Sequence, residues 1–377
     1  MRKITAKLKF SYRVAVLAAF FAAVCGRGVL AASEKGSSET TWRGFYISAA
    51  PLVELKNGNF NETTYRTESD TKYTEILWNE ELNLRAGASL QAGWWFVGLE
   101  ADALVGIPKS SGTMSENWWT ASFDPEFHLA DFDCDTKILS DFEIDSRLKF
   151  DIPLFKYVRL RPYAGFSYSL LNMNASDAKG KAGLTSTKTS ADGDDAHSYS
   201  VSGDRVDYKR ETYDIYLGIQ AGTVLFDRLT ILGDFRATPF LYINTVDHHY
   251  ADETATPSVT ESYTLNRFHS TFPKMTFGGS LEYRIWKDFS LGGSFYYSLL
   301  KDLHGEEYTS ATDSGYKSHT GYYCQTSQNY WKASLYAKYR FKLGNEITLK
   351  DRTPHAKRTK SPKAPKVRHG KIQVRTY

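Results

Sequence analysis

Asp247-His248-His249-Tyr250 is the run in this chain best equipped for chemistry. Asp247 and His249 stand two residues apart, so on a β-strand their side chains leave the same face. A carboxylate beside an imidazole can fix its tautomer, raise its basicity and let it take a proton from water. An Asp and a His at the edge of a fold are also often solvated or paired for structure alone. His248 and His249 face opposite ways on a strand, and with Asp252 they match no zinc spacing, so no metal centre is expected. A second cluster, Gly112-Thr113-Met114-Ser115-Glu116-Asn117-Trp118-Trp119, joins one acid to a Trp pair that could equally be an interfacial anchor. A third, Glu62-Thr63-Thr64-Tyr65, offers a carboxylate that could meet a cation or simply water.

Clusters so far apart in sequence need a scaffold to meet, and the periodicity supplies one. From Trp331 to Leu343, Trp331, Ala333, Leu335, Ala337, Tyr339, Phe341 and Leu343 alternate with Lys332, Ser334, Tyr336, Lys338, Arg340 and Lys342. That is the period of two of a strand with one apolar face. The same split recurs over 138–152 and 274–285. A soluble sandwich also alternates. These segments outrun soluble strands, carry aromatics near their ends, and are joined by alternately short and long connections. Asp227-Arg228 and Lys287-Asp288 are tight turns, whereas 174–207, 248–267 and 303–329 are long and polar. The pattern predicts an all-β, transmembrane, antiparallel up-and-down barrel of about ten strands, near 43–56, 72–91, 94–108, 138–153, 157–173, 207–225, 229–247, 269–286, 289–303 and 329–343. Charges of both signs on the inner face predict a plugged lumen. Pro239 removes a ladder hydrogen bond where a closed barrel has no free edge, which predicts a bulge.

The ends agree with export. Residues 1–31 read as a signal peptide, with Arg2, Lys3, Lys7, Lys9 and Arg13 before the apolar run from Val14 to Val24. That run is too short to span a membrane as a helix, and bulky Val24 before Cys25 argues against lipidation. Residues 32–343 would form the barrel. Residues 344–377, rich in Lys, Arg and Pro, cannot build a core and are expected to be a disordered periplasmic tail. A net charge of +4 is too mild to imply nucleic acid. Cys134 and Cys324 could pair, though nothing in the sequence joins them.

Taken together, the motifs resemble the omptins, the outer-membrane barrel proteases of Gram-negative bacteria, across 42–343. Glu62-x-x-Tyr65 is similar to their first-loop Glu-x-x-Tyr, Trp78 to a second-strand Trp, and Tyr216-Leu217-Gly218 to a sixth-strand Tyr-x-Gly. Gly112 to Trp119 is similar to Gly-x-Met-x-Asp-x-Asp-Trp, and Asp247 to Tyr250 to a seventh-strand Asp-x-His-Tyr. The resemblance implies an aspartic-type endopeptidase of the outer membrane, loops outward and both termini periplasmic, with Asp247 and His249 activating water and Glu116 positioning it. It implies Glu62 as receiver of a basic substrate side chain. It implies no cofactor beyond lipopolysaccharide or another outer-membrane lipid, for which Lys209 and Arg210 are nominees. The partners would be that lipid and a polypeptide substrate or host protein. This chain departs from the pattern at Trp118 and Thr245, where the family has acids; a shift of one residue would put Asn117 at the second acid instead. Glu116 also has a longer arm than Asp, moving its carboxylate by about an ångström. The alternative is a non-proteolytic surface barrel acting as an adhesin or as a host-protein- or lipid-binding protein.

Overall fold

The computed structural model describes residues 44–119, 128–153, 158–183, 190–251 and 260–343; the expected signal segment and basic tail lie outside them. Long alternating segments pair with their neighbours in sequence. β1 (Phe45–Arg66) and β2 (Lys72–Trp94) form the first hairpin. β3 (Val97–Gly106) and β4 (Lys109–Trp119) fill one position, because both pair with β2 and with β5 (His128–Phe150). β6 (Ile152–Pro153) continues β5 along β7 (Val158–Ala182), followed by β8 (His197–Leu225) and β9 (Leu229–His249). β10 (Ser262–Ser270) and β11 (Lys274–Arg284) share one position between β9 and β12 (Phe289–Ser310). β13 (Lys317–Ser318) is a short addition to β12, and β14 (Tyr322–Leu343) returns to β1 with Phe45 opposite Leu343. Ten positions close into a ring of antiparallel strands, as the alternation predicts.

The outward face settles barrel against sandwich. Leu90, Leu99, Leu217, Phe240, Phe295 and Leu335 are 52–72% exposed. A sandwich would bury them, whereas a bilayer solvates them. Trp94, Phe226 and Trp286 stand at the tight-turn rim, and Tyr168, Tyr213 and Tyr242 cluster across β7, β8 and β9 nearer the other. These aromatics mark the two edges of the apolar band.

The strands run well past that band. β8 has 29 residues, where about ten suffice to cross the hydrocarbon layer. Much of what reads as loop is therefore strand: β4 carries Gly112 to Trp119, and β7, β8, β10, β12 and β14 extend into the other polar stretches. Above the bilayer the outward face meets water, so the apolar alternation fades while backbone pairing continues. Glu62 and Glu116 lie on β1 and β4, not in loops.

Pro239 sits in a bulge. Thr238 and Pro239 together oppose Tyr216, since Ile215 pairs with Phe240 and Leu217 with Ala237. On the other side of Pro239, β10 and β11 break around Pro273. The Phe226-Asp227 turn has two residues at positive φ, 53° and 56°, a mirror-image turn without glycine.

Inside, tyrosines from one strand lie on glycines of the next. A Cβ on Gly165 would stand 2.3 Å from the Tyr216 ring, and one on Gly218 2.1 Å from that of Tyr163, so only glycine lets these rings cross the lumen. Higher up, Arg85 is fully buried against Glu54 at 2.9 Å, Asp141 at 3.2 Å and Glu143 at 3.0 Å, a contact set drawn from β1, β2 and β5. Phe60, Trp78 and Tyr208 stack above it, with centroids 4.7–6.3 Å apart. The lumen is plugged by these two layers. Arg85→Ala would leave Glu54 and Asp141 without their cation, while Lys332 still holds Glu143 at 2.7 Å, and breaking a buried pair costs about 3–5 kcal/mol. The expected result is a clear fall in the urea midpoint of the lipid-refolded protein; an unchanged midpoint would refute this role.

Cys134 and Cys324 are both buried and free, the first beside Phe132 and the second in a separate cluster with Ile243 and Phe268. They do not pair.

Candidate active site

Parity along the strands decides which side chains enter the mouth above the aromatic layer. On β4, Met114, Glu116 and Trp118 share the inward face, and Asn117 points the other way. The shifted alignment that put Asn117 at the second acid is thereby set aside. On β9, Thr245, Asp247 and His249 face inward, whereas His248 faces out, with Nε2 3.0 Å from Glu261 and its ring stacked on Tyr263. β1 contributes Glu62, whose neighbour two residues down, Phe60, belongs to the floor. The ring brings the β4 and β9 residues together. His249 Nδ1 lies 4.0 Å from Glu116 Oε2.

Glu116 is 2% exposed, and its two oxygens have different company. Oε1 accepts a hydrogen bond from Trp118 Nε1 at 2.5 Å. Oε2, the atom nearest His249, is buried and has no hydrogen-bond partner among the described residues. Trp118 thus holds the carboxylate through Oε1, and Oε2 is the oxygen that approaches His249. Asp247, equally buried, has Oδ1 without a partner among the described residues. Burial pushes the Asp247 carboxyl well above the usual range, and Glu62, Glu116 and Glu307 push the same way against Arg210.

Glu62 sits differently from expectation. Tyr208 Oη donates to Oε1 at 2.5 Å and Arg210 Nη1 at 3.1 Å; Thr245 Oγ1 and Asn266 Nδ2 each donate to Oε2 at 2.9 Å. A guanidinium of the chain itself stands where the resemblance places a substrate's cation. Arg210 is 3% exposed with its Cζ 4.8 Å from the Phe60 ring, which corrects its nomination as an outer-wall lipid contact. Lys209, half exposed and 2.9 Å from Glu211, does lie on the outside. Thr245, where the resemblance would have an acid, hydrogen-bonds to Glu62 instead. Beyond it, Glu307 accepts from Thr64 at 2.5 Å and meets His319 Nδ1 at 2.5 Å.

Sequence reasoning missed Trp118 as a partner of Glu116, and missed Tyr208, Arg210, Asn266 and Glu307. Strand parity held a signal for two of them: Tyr208 and Arg210 are two apart and share the face of Asp214. Among the described residues, no group of His, Cys, Asp and Glu is arranged to hold a metal.

The raised Asp247 carboxyl has a measurable consequence. Its proton is held more tightly folded than unfolded, so the folded form is favoured below the ordinary carboxylate value and loses that advantage as pH rises through the elevated one. The Asp247 contribution to stability in urea should fall as pH rises from about 4, so Asp247→Asn should lose less stability than the wild type over that rise. Equal slopes for the two proteins would refute the assignment.

No family model matches the chain, and no curated protein sequence does. Among solved structures, outer membrane protease OmpT from Escherichia coli superposes with a TM-score of 0.66 at 16% identity, covering 82% of this chain and 99% of that one. The outer membrane protein OprG from Pseudomonas aeruginosa gives 0.34 at 8% identity, covering 80% and 98%. The translocator domain of autotransporter NalP from Neisseria meningitidis gives 0.31 at 8%, covering 88% and 98%. Identity this low speaks to architecture alone: the chain has an outer-membrane β-barrel fold related to that of the omptins.

Proposed function

We propose that the chain is an omptin-type endopeptidase of the outer membrane. The observation that carries this reading is the 4.0 Å approach of His249 Nδ1 to the unpartnered Glu116 Oε2. A single water displaced from the line between them can reach both atoms with hydrogen bonds of about 2.9 Å. His249 takes a proton from that water as its oxygen bonds to the peptide carbonyl carbon; the imidazolium then returns the proton to the leaving amine as the C–N bond breaks. Glu116, held by Trp118, orients the water. Asp247, when ionised, favours the imidazolium.

The long-connection rim faces outward and both ends of the barrel lie on the periplasmic side. An outer-membrane lipid such as lipopolysaccharide supports the active form. A preference for basic residues rests on the acidity left in the mouth beyond the Glu62–Arg210 pair, from Glu116, Glu307 and, when ionised, Asp247, rather than on a two-acid clamp. The test is to refold the barrel with lipid and offer peptides containing paired basic residues; failure of the wild type to cleave any of them overturns the reading.

A second reading, a non-proteolytic adhesin, is favoured by an aromatic collar at the same rim. Tyr65 stacks on Tyr323 at 5.2 Å, Tyr73 meets Tyr322 at 5.1 Å, and the Arg66 guanidinium lies 5.9 and 5.7 Å from the Tyr73 and Tyr322 rings. Tyrosines and an arginine so arranged suit a protein partner. Wild-type binding to a host protein without cleavage would select this reading.

A further inference from the structure

The opposite end of the lumen holds a site of another kind. A cavity of about 950 Å³ opens at the tight-turn rim between Trp95, Asp227 and Lys287 and runs inward to Glu54, Glu143 and Lys332, where the Arg85 layer closes it. Its inner half is balanced. Arg147 is matched to Asp102 and Asp145, Lys332 to Glu143, and the five cations there face six carboxylates.

The outer half is not balanced. Seven cationic side chains line it, including Arg159, Arg161, Arg228, Lys287 and Arg340, against only Asp151, Asp227 and Asp288. Arg159 and Arg161 share the single carboxylate of Asp151, at 3.5 and 3.2 Å, and Asp288 is taken by Lys342 at 2.9 Å. The Arg340 guanidinium lies 4.8 Å from the Tyr46 ring, a contact that leaves its N–H edges available. Low-dielectric walls focus such an excess into a blind, positively charged vestibule of ligand size.

We propose that this vestibule binds phosphate oxyanions, with Arg161 and Arg340 as principal donors. Planar guanidinium groups grip phosphate through paired hydrogen bonds, and two arginines on opposite strands give two points of attachment. Trp94, Phe226 and Trp286 around the same rim place it at headgroup height, so the phosphate can come from a lipid headgroup or from solution.

The test uses the full chain in nanodiscs of a galactolipid, whose headgroup carries no phosphate, titrated with inorganic pyrophosphate. Saturable binding is expected, with Arg161→Gln combined with Arg340→Gln weakening it at least about tenfold, as the loss of one charge-assisted contact or more predicts. The paired Lys variants, which keep the charge and lose the paired hydrogen bonds, should bind more tightly than the Gln pair and more weakly than the wild type, and an unchanged urea midpoint shows that folding is intact. No saturable binding by the wild type, or equal binding by the Gln pair, would overturn the proposal. Repeating the titration with phosphatidylglycerol in the disc assigns the source: loss of pyrophosphate binding points to the headgroup, and unchanged binding to free phosphate.

Discussion

His249→Ala is expected to lower kcat/KM on a paired-basic peptide by about a thousandfold, within the range that removal of a general base produces. The geometry leaves no obvious deputy. His248, the adjacent imidazole, faces the outer wall against Glu261 and Tyr263, so His248→Ala should leave cleavage unchanged and serves as the control. Glu116→Gln tests the other side of the pair. It keeps the acceptor for the Trp118 N–H but replaces one carboxylate oxygen with a donor, so the water loses an acceptor opposite His249. Cleavage that survives His249→Ala at wild-type rate would sink the mechanism, even if the barrel proves to be a protease by another route.

The barrel was legible because a bilayer imposes a rule on every outward residue. Leu335, Phe341 and Leu343 alternate with Lys338, Arg340 and Lys342 because one set meets lipid and the other meets the lumen. Above the bilayer that rule lapses. Asn57, Asn59 and Asn61 point outward into water on β1 as polar residues would in a loop, so the sequence there reads as loop although the ladder to β14 continues to Arg66. The site inherits both conditions. Asp247 and His249 could be paired from their spacing, but the approach of Glu116 depends on ring closure between strands well over a hundred residues apart, which no local pattern encodes. Arg210 shows the same limit from the other side: a basic residue near a rim reads as a surface charge until the ring places Glu62 opposite it.

That pairing leads to the second large effect. Arg210→Ala is expected to lower stability and, at the same time, to raise the preference for arginine-containing over alanine-containing peptides by about tenfold to a hundredfold. The loss of stability follows from leaving Glu62 buried without its cation, a cost of about 3–5 kcal/mol. Tyr208, Thr245 and Asn266 still donate to its oxygens, so the carboxylate keeps three hydrogen bonds and its position. A substrate guanidinium entering the mouth would then recover part of that cost, and one charge-assisted contact of about 1.5–3 kcal/mol corresponds to the stated ratio. In the chain as it stands, Arg210 already satisfies Glu62, and the substrate gains nothing there. Glu62→Gln combined with Arg210→Met separates the two effects, because removing both charges should return much of the stability and abolish the new preference. If Arg210→Ala destabilises without changing the peptide ratio, Glu62 is sealed from the mouth, and selection of basic substrates falls wholly to Glu116, Asp247 and Glu307.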